Sequence, residues 1–226
     1  MCLIDGSHRR YGAAMGVPLV EAVVVTPFAQ NCHVVAAARG GPGLLIDPGG
    51  EAERIEAALI RLGVEPVAVL GTHGHLDHIG AAAQVADPRG IPVYLHEDDR
   101  ALFEWPGMGL WDVPAIPRPG DLRPLADGER LQLAGLTIDV LHTPGHTPGQ
   151  CVFHLPEHGL LFSGDLLFAG SIGRTDFPTG DPARMGPSLA RVMALPDATR
   201  VHSGHGPVTT IGRERAANPF VAGLVA

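Results

Sequence analysis

The 226-residue sequence predicts a layered α/β domain. Short runs rich in β-branched and aliphatic residues recur along the chain and alternate with segments of helical spacing. The segments richest in histidine, aspartate and glycine fall directly after those runs, where the loops of open α/β folds gather. A composition of 45% hydrophobic and 18% charged residues is that of a folded globular chain.

The elements follow in order. Residues 1–17 carry no periodicity and form an N-terminal lead-in; residues 18–226 form one domain. "LVEAVVVTPF" (19–28) and "NCHVVAAA" (31–38) are β-branched runs broken by Pro27 and a polar pair, so they read as strands. "GLLIDPGG" (43–50) is a short buried strand ending in a turn. "EAERIEAALIRLG" places apolar residues at 55, 58, 59 and 62 and stops at Gly63, the pattern of an amphipathic helix. "PVAVLGTH" (66–73) is another strand, running into the cluster "GTHGHLDHIG" and then a helix-like "IGAAAQVA". "IPVYLHE" (91–97) resumes a strand. Residues 104–128 are rich in Pro and Gly and hold both tryptophans, Trp105 and Trp111; such a stretch predicts a surface loop near a site. Short strands are expected at 130–141, 150–155, 159–163 and 200–203, with a helix at about 182–194.

Charge and composition exclude several functions. The formal net charge of −8 opposes a general nucleic-acid binder. All sixteen basic residues are arginine. A Schiff-base lysine, a lysine-anchored pyridoxal phosphate and a P-loop lysine are therefore excluded. Cys2, Cys32 and Cys151 make neither a disulfide framework nor a closed zinc site. No apolar run has the length of a membrane span, and the first residues lack a secretory core. A cytoplasmic location is expected.

The chemistry concentrates in four places. His73 and His75 lie two apart, on one side of an extended segment, and a turn can bring Asp77 and His78 into the same space. Imidazole and carboxylate suit zinc, iron or manganese. One tetrahedral ion uses three such donors; the surplus implies a second ion or non-ligand roles. Downstream, "LHTPGHTPGQ" presents His146, "LLFSGDLLF" presents Asp165 and "VHSGHGPVTT" presents His205, each on a glycine-flanked turn after a strand. The isolated His8, His33, His96, His154 and His158 read as ordinary core or surface residues, while His142 and His202 flank the motifs closely enough to support ligands indirectly.

"THGHLDH" resembles the HxHxDH signature of the metallo-β-lactamase superfamily, and "HTPGHTPG", "FSGDLLF" and "SGHGP" follow in that superfamily's order over roughly residues 18–212. The resemblance implies an αββα sandwich, two mixed β-sheets face to face with helices outside. It implies two divalent ions, zinc first and iron or manganese otherwise. His73, His75 and His146 would hold one, Asp77, His78 and His205 the other, and Asp165 would bridge them. "GSIGRTDFPTGD" and "GHGPVTTIGRERAANPF" narrow the resemblance to small single-domain glyoxalase II-like hydrolases of bacteria. The chain departs from full-length glyoxalase II in leaving no room for a C-terminal helical domain, which puts the identity of the thiol in question.

The activity implied is hydrolysis of a thioester, S-hydroxyacylglutathione (such as S-lactoylglutathione), to a hydroxy acid and a thiol. A metal-bridging hydroxide would attack the acyl carbon, and Asp77 could orient it as well as hold metal. Arg174 is the candidate for a carboxylate of the substrate, with pairing to Asp176 as the competing role; Phe177 and Trp111 are candidate pocket walls or core residues. "GRTDF" also resembles mononuclear-iron persulfide dioxygenases, which is the alternative. Other hydrolases of the fold, acting on lactones, lactams or phosphodiesters, and a metal-binding domain without turnover complete the set. The partner expected is a small molecule, not a nucleic acid or a membrane; the oligomeric state stays open.

Overall fold

A computed structural model describes residues 17–222. The expected lead-in, with Cys2 and His8, thus lies outside the described residues except for Val17.

Two six-stranded sheets carry the fold. The first runs β1 (Leu19–Val25), β2 (Gln30–Ala36), β3 (Pro42–Ile46), β4 (Glu65–Leu70), β5 (Val93–His96) and β6 (Leu122–Leu125) in that spatial order. Its first three strands are antiparallel and its last four parallel. The second contains β7 (Arg130–Leu133), β8 (Leu136–His142), β9 (Cys151–Leu155) and β10 (Leu160–Gly164), then β13 (Arg200–Ser203) and β14 (Thr209–Thr210) beyond β10. Only the β10–β13 pair is parallel there. A small hairpin, β11 (Leu167–Phe168) and β12 (Ser171–Ile172), leaves the end of β10.

Alternation along the strands builds three apolar layers. Val35, Leu44, Ile46 and Leu70 of the first sheet meet Ile138, Val140, Phe153 and Phe162 of the second in a dry central core. The outer face of the first sheet is covered by α1 (Ala52–Leu62), α2 (Leu76–Ile79) and α3 (Ala82–Ala86). The helix α1 buries Ile55, Ala58, Leu59 and Leu62 and leaves Ile60 in solvent. Gly63 ends it at φ +66°, its N–H on the carbonyl of Ile60. The outer face of the second sheet is covered by α4 (Pro182–Met193) and α5 (Ile211–Ala217) through Met185, Leu189, Val192 and Ile211. The architecture is the expected αββα sandwich.

Three local readings change. The helix expected over 79–86 is two short helices, parted at Gly80–Ala81 where the carbonyl of Pro48 takes the Ala81 N–H. Residues 122–125, read as loop, form β6; it pairs only with β5, and an edge strand tolerates Pro124. Residues 130–141 are two strands that reverse at Ala134–Gly135.

Candidate metal centre

Seven side chains converge at one end of the sandwich. From the first sheet, β4 delivers His73 and His75, and α2 begins at once, so that Asp77 and His78 sit in its single turn. From the second sheet, the loops after β8, β10 and β13 deliver His146, Asp165 and His205. All seven residues expected from the sequence are therefore brought together. Chain close-packing makes this possible at two glycines. Gly145 has φ +147°, and a Cβ there would lie 2.7 Å from the Cα of Met185 on α4. A Cβ on Gly204 would lie 2.3 Å from Asp165 Oδ1 and 2.5 Å from His78 Cε1, inside the cluster itself.

The donors form two groups joined by Asp165. His75 Nδ1 lies 3.1 Å from His73 Nε2 and 2.9 Å from His146 Nε2. His205 Nε2 lies 3.3 Å from Asp77 Oδ2 and 3.4 Å from His78 Nε2. Between them, Asp165 Oδ1 is 3.3 Å from His78 Nε2, while Oδ2 is 3.6 Å from both His146 Nε2 and His205 Nε2.

Hydrogen bonds behind the rings orient their lone pairs inward. His146 Nδ1 donates to the carbonyl of Arg174 at 2.7 Å, and His205 Nδ1 to that of Phe28 at 3.1 Å. His78 Nδ1 donates to Asp47 Oδ2 at 2.9 Å. Asp47 is in turn fixed by the N–H and hydroxyl of Thr72, both at 2.7 Å. Each of these contacts turns Nε2 inward toward the other donors, the orientation that metal-binding histidines require. His73 Nε2 and His146 Nε2 both lie within 3.1 Å of His75 Nδ1, which cannot satisfy both, and buried Asp165 Oδ1 has no hydrogen bond of acceptable geometry. The donor set thus fits divalent cations, as borderline nitrogen and carboxylate ligands do.

Burial and mutual repulsion keep two imidazoles of the first group neutral: His73 is held well below its ordinary pKa and His75 is pushed down to about 3. In the second group burial opposes charge, but carboxylates prevail at His78, whose pKa rises beside Asp165, Asp77 and Asp47. Burial would raise Asp165, yet the imidazoles of His78, His146 and His205 hold it far below the carboxylate range.

Two buried aspartates absent from the sequence reading organise the centre. Asp47 supports His78 as above. Asp99, fully buried, accepts from Gly74 N at 2.8 Å, Thr147 Oγ1 at 2.6 Å and Gly149 N at 2.7 Å. It joins the loop of His73 and His75 to the loop of His146. Asp47 shares with Asp165 a strand-end position on a glycine-containing turn, here Pro48-Gly49-Gly50, a signal that could have found it. "HEDDR" gives no such signal for Asp99. Of the flanking histidines, His142 donates to the carbonyl of Pro148 at 2.8 Å and so steadies the His146 loop. His202 instead stacks on Phe162, edge-on to His33, in the interior. His96 and His142 are stacked 4.1 Å apart and only 10° from parallel. Lone pairs in two such planes do not converge on one ion.

A cavity of about 670 Å³ opens from the donors to the surface. Phe177 and Trp111 line it, as does Arg174. The Arg174 guanidinium is engaged in two hydrogen bonds to Asp176, at 2.6 and 2.7 Å, and lies 4.0 Å above the Phe177 ring.

Fold and centre together define a metal-dependent hydrolase, and the chain belongs to the metallo-β-lactamase superfamily, whose profile matches residues 25–205. Within it the chain is 40% identical to the hydroxyacylglutathione hydrolase GloC of Haemophilus influenzae, over 89% of this chain and 97% of that one. Among solved structures, the BLEG-1 B3 metallo-β-lactamase superposes with a TM-score of 0.85 at 39% identity, covering 91% of this chain and all (100%) of that one. TTHA1623 in a di-iron-bound form gives 0.79 at 45% identity, covering 89% and 100%. No helix among the described residues is long and apolar enough to cross a membrane.

Proposed function

We propose that the chain is a dinuclear-metal thioester hydrolase acting on an S-acylglutathione, S-lactoylglutathione being the reference substrate. The observation that carries the substrate is the likeness to the Haemophilus hydroxyacylglutathione hydrolase across nearly the whole of both chains. His73, His75 and His146 would hold one ion, Asp77, His78 and His205 the second, and Asp165 would bridge. Bound there, two divalent cations would supply hydroxide near neutral pH and polarise the acyl carbonyl. The di-iron state of a similar protein favours two ions and leaves iron beside zinc and manganese as their identity.

The chain's own residues do the rest. Asp77 is half-buried at the cavity floor, where its carboxylate can accept a hydrogen bond from the attacking water and fix its direction. The carbonyl of Arg174 holds the His146 ring, so the loop that lines the cavity also sets a donor. A thiolate leaves without prior protonation, so no separate general acid is required.

The test is turnover of S-lactoylglutathione with the metal content counted in the same sample. Two ions per chain and rapid thiol release, reduced at least about a hundredfold in Asp165→Ala, are expected. One iron per chain with oxygen uptake on glutathione persulfide and no hydrolysis would overturn the reading in favour of a dioxygenase. The second reading is β-lactam hydrolysis, favoured by the likeness to BLEG-1. Cleavage of a cephalosporin without cleavage of the thioester would establish it.

A further inference from the structure

The walls of the cavity have a chemistry that the reference substrate does not use. An aromatic row leads outward from the donors. Phe177 stands edge-on to His75 with centroids 5.8 Å apart, and Trp111 stands edge-on to Phe177 at 5.7 Å. Phe168 approaches His205 edge-on at 6.2 Å. Phe28, Met108 and Ile172 add further apolar surface. Apart from the metal donors, the polar groups among the described lining residues are the Trp111 indole N–H and Arg174, whose guanidinium already faces Asp176 and Phe177. No serine, threonine, asparagine, glutamine or tyrosine side chain is among the described residues that line this cavity. The hydroxyl of a hydroxyacyl group would therefore exchange water for a largely apolar wall whose one uncommitted side-chain donor among the described residues is the Trp111 indole N–H.

The wall is also held in place. Between Glu104 and Pro119 the chain closes on itself through Met108 N to the Trp105 carbonyl, Leu110 N to that of Gly107, and Ile116 N to that of Phe103. The Met108 side chain is buried, and its sulfur receives the Thr179 hydroxyl at 3.6 Å. A preformed apolar slot of this kind selects for a group that fills it.

We propose that the cavity takes an aromatic or similarly bulky apolar acyl group, so that aryl-acyl thioesters are preferred to short hydroxyacyl ones, with Trp111 as the specificity-determining residue. This rests on the thioester reading above. The apolar arm belongs to the acyl side because the thiol carriers of cellular thioesters are rich in amides and charge.

The experiment compares S-phenylacetylglutathione with S-lactoylglutathione on the full, metal-loaded chain. A kcat/KM ratio of about ten or more in favour of phenylacetyl is expected, the discrimination typical of a filled apolar pocket. In Trp111→Ala that ratio falls by about tenfold, and Trp111→Phe recovers most of it. A third substrate, the lactoyl thioester of phenylmethanethiol, carries the same ring on the thiol side and should show no such gain. Equal or greater activity on lactoylglutathione overturns the proposal. So does a gain confined to the phenylmethanethiol ester, or a Trp111→Ala variant that loses both activities in equal proportion. If no thioester is cleaved at all, the thioester reading itself fails and takes this one with it.

Discussion

Asp99 shows how much of the centre depends on a residue that touches no ligand ring. Its carboxylate collects three donors from two loops, each of which carries part of the three-histidine group. Burial raises its pKa while those three hydrogen bonds resist the rise. An amide in its place keeps the volume but turns one acceptor edge into a donor facing N–H or hydroxyl. Asp99→Asn is expected to weaken metal binding by about ten- to a hundredfold, read by chelator competition on the folded protein. Unchanged affinity would mean that the loops hold their spacing without it. The seven converging residues were legible in the sequence because each follows a strand on a glycine-rich turn. Asp47 and Asp99 were not read, since their partners at Thr72, His78, Thr147 and Gly149 lie 25 to 50 positions away. Arg174 was read as a carboxylate binder or a partner of Asp176, and the structure displays the second arrangement.

Among the elements, α5 is one of those the sequence hid, although it governs the cavity's far side. Its Glu214 is buried, accepts Gly170 N at 2.7 Å and Asn218 Nδ2 at 2.9 Å, and binds the Thr209 hydroxyl. Asn218 Nδ2 also donates to the Ser171 carbonyl at 3.0 Å. The helix thereby grips the turn of the β11–β12 hairpin, which leads directly into Arg174 and Phe177. Glu214→Ala strands these donors. A loss of about 2–3 kcal/mol is expected, seen as a Tm lower by roughly 4–12 °C, with KM raised more than kcat is lowered. Glu214→Ala with wild-type stability and KM would refute the grip. Strands and the longer helices were legible because hydrophobic period is local. The helix α5 is only two turns long, and β6 disguises itself with Pro124. The β11–β12 hairpin has two residues per strand, too few to show alternation.

For the molecule as a whole, the centre joins its two halves. Four donors follow β4 in one sheet and three follow β8, β10 and β13 in the other. Ions there would staple the open end of the sandwich. Removing them with a chelator should lower Tm by several degrees, since a ligand at a hundred times its Kd contributes about 2.7 kcal/mol. The metal-free protein should also weaken in acid. His33 is held neutral by burial, helped by repulsion from His202 and His78, with its pKa pushed down to about 3. Burial and nearby Arg200 push His202 down to about 4. Unfolded, both take up protons near their ordinary value of 6.5. Below that value the unfolded chain binds more protons, so stability is full above it and declines as pH falls toward 4 and 3. Melting curves with and without chelator at pH 7.5 and pH 5 test both effects; a metal-free Tm that does not fall with acid would contradict the second.

The segment from Glu104 to Pro119 contributes wall but none of the seven donors, and its hydrogen bonds close mostly within itself and onto Ala101 and Phe103. This part of the diet is therefore encoded apart from digestion. A lineage, or a mutagenesis library, can exchange one clientele for another within a single short stretch of gene and inherit its chemistry unaltered.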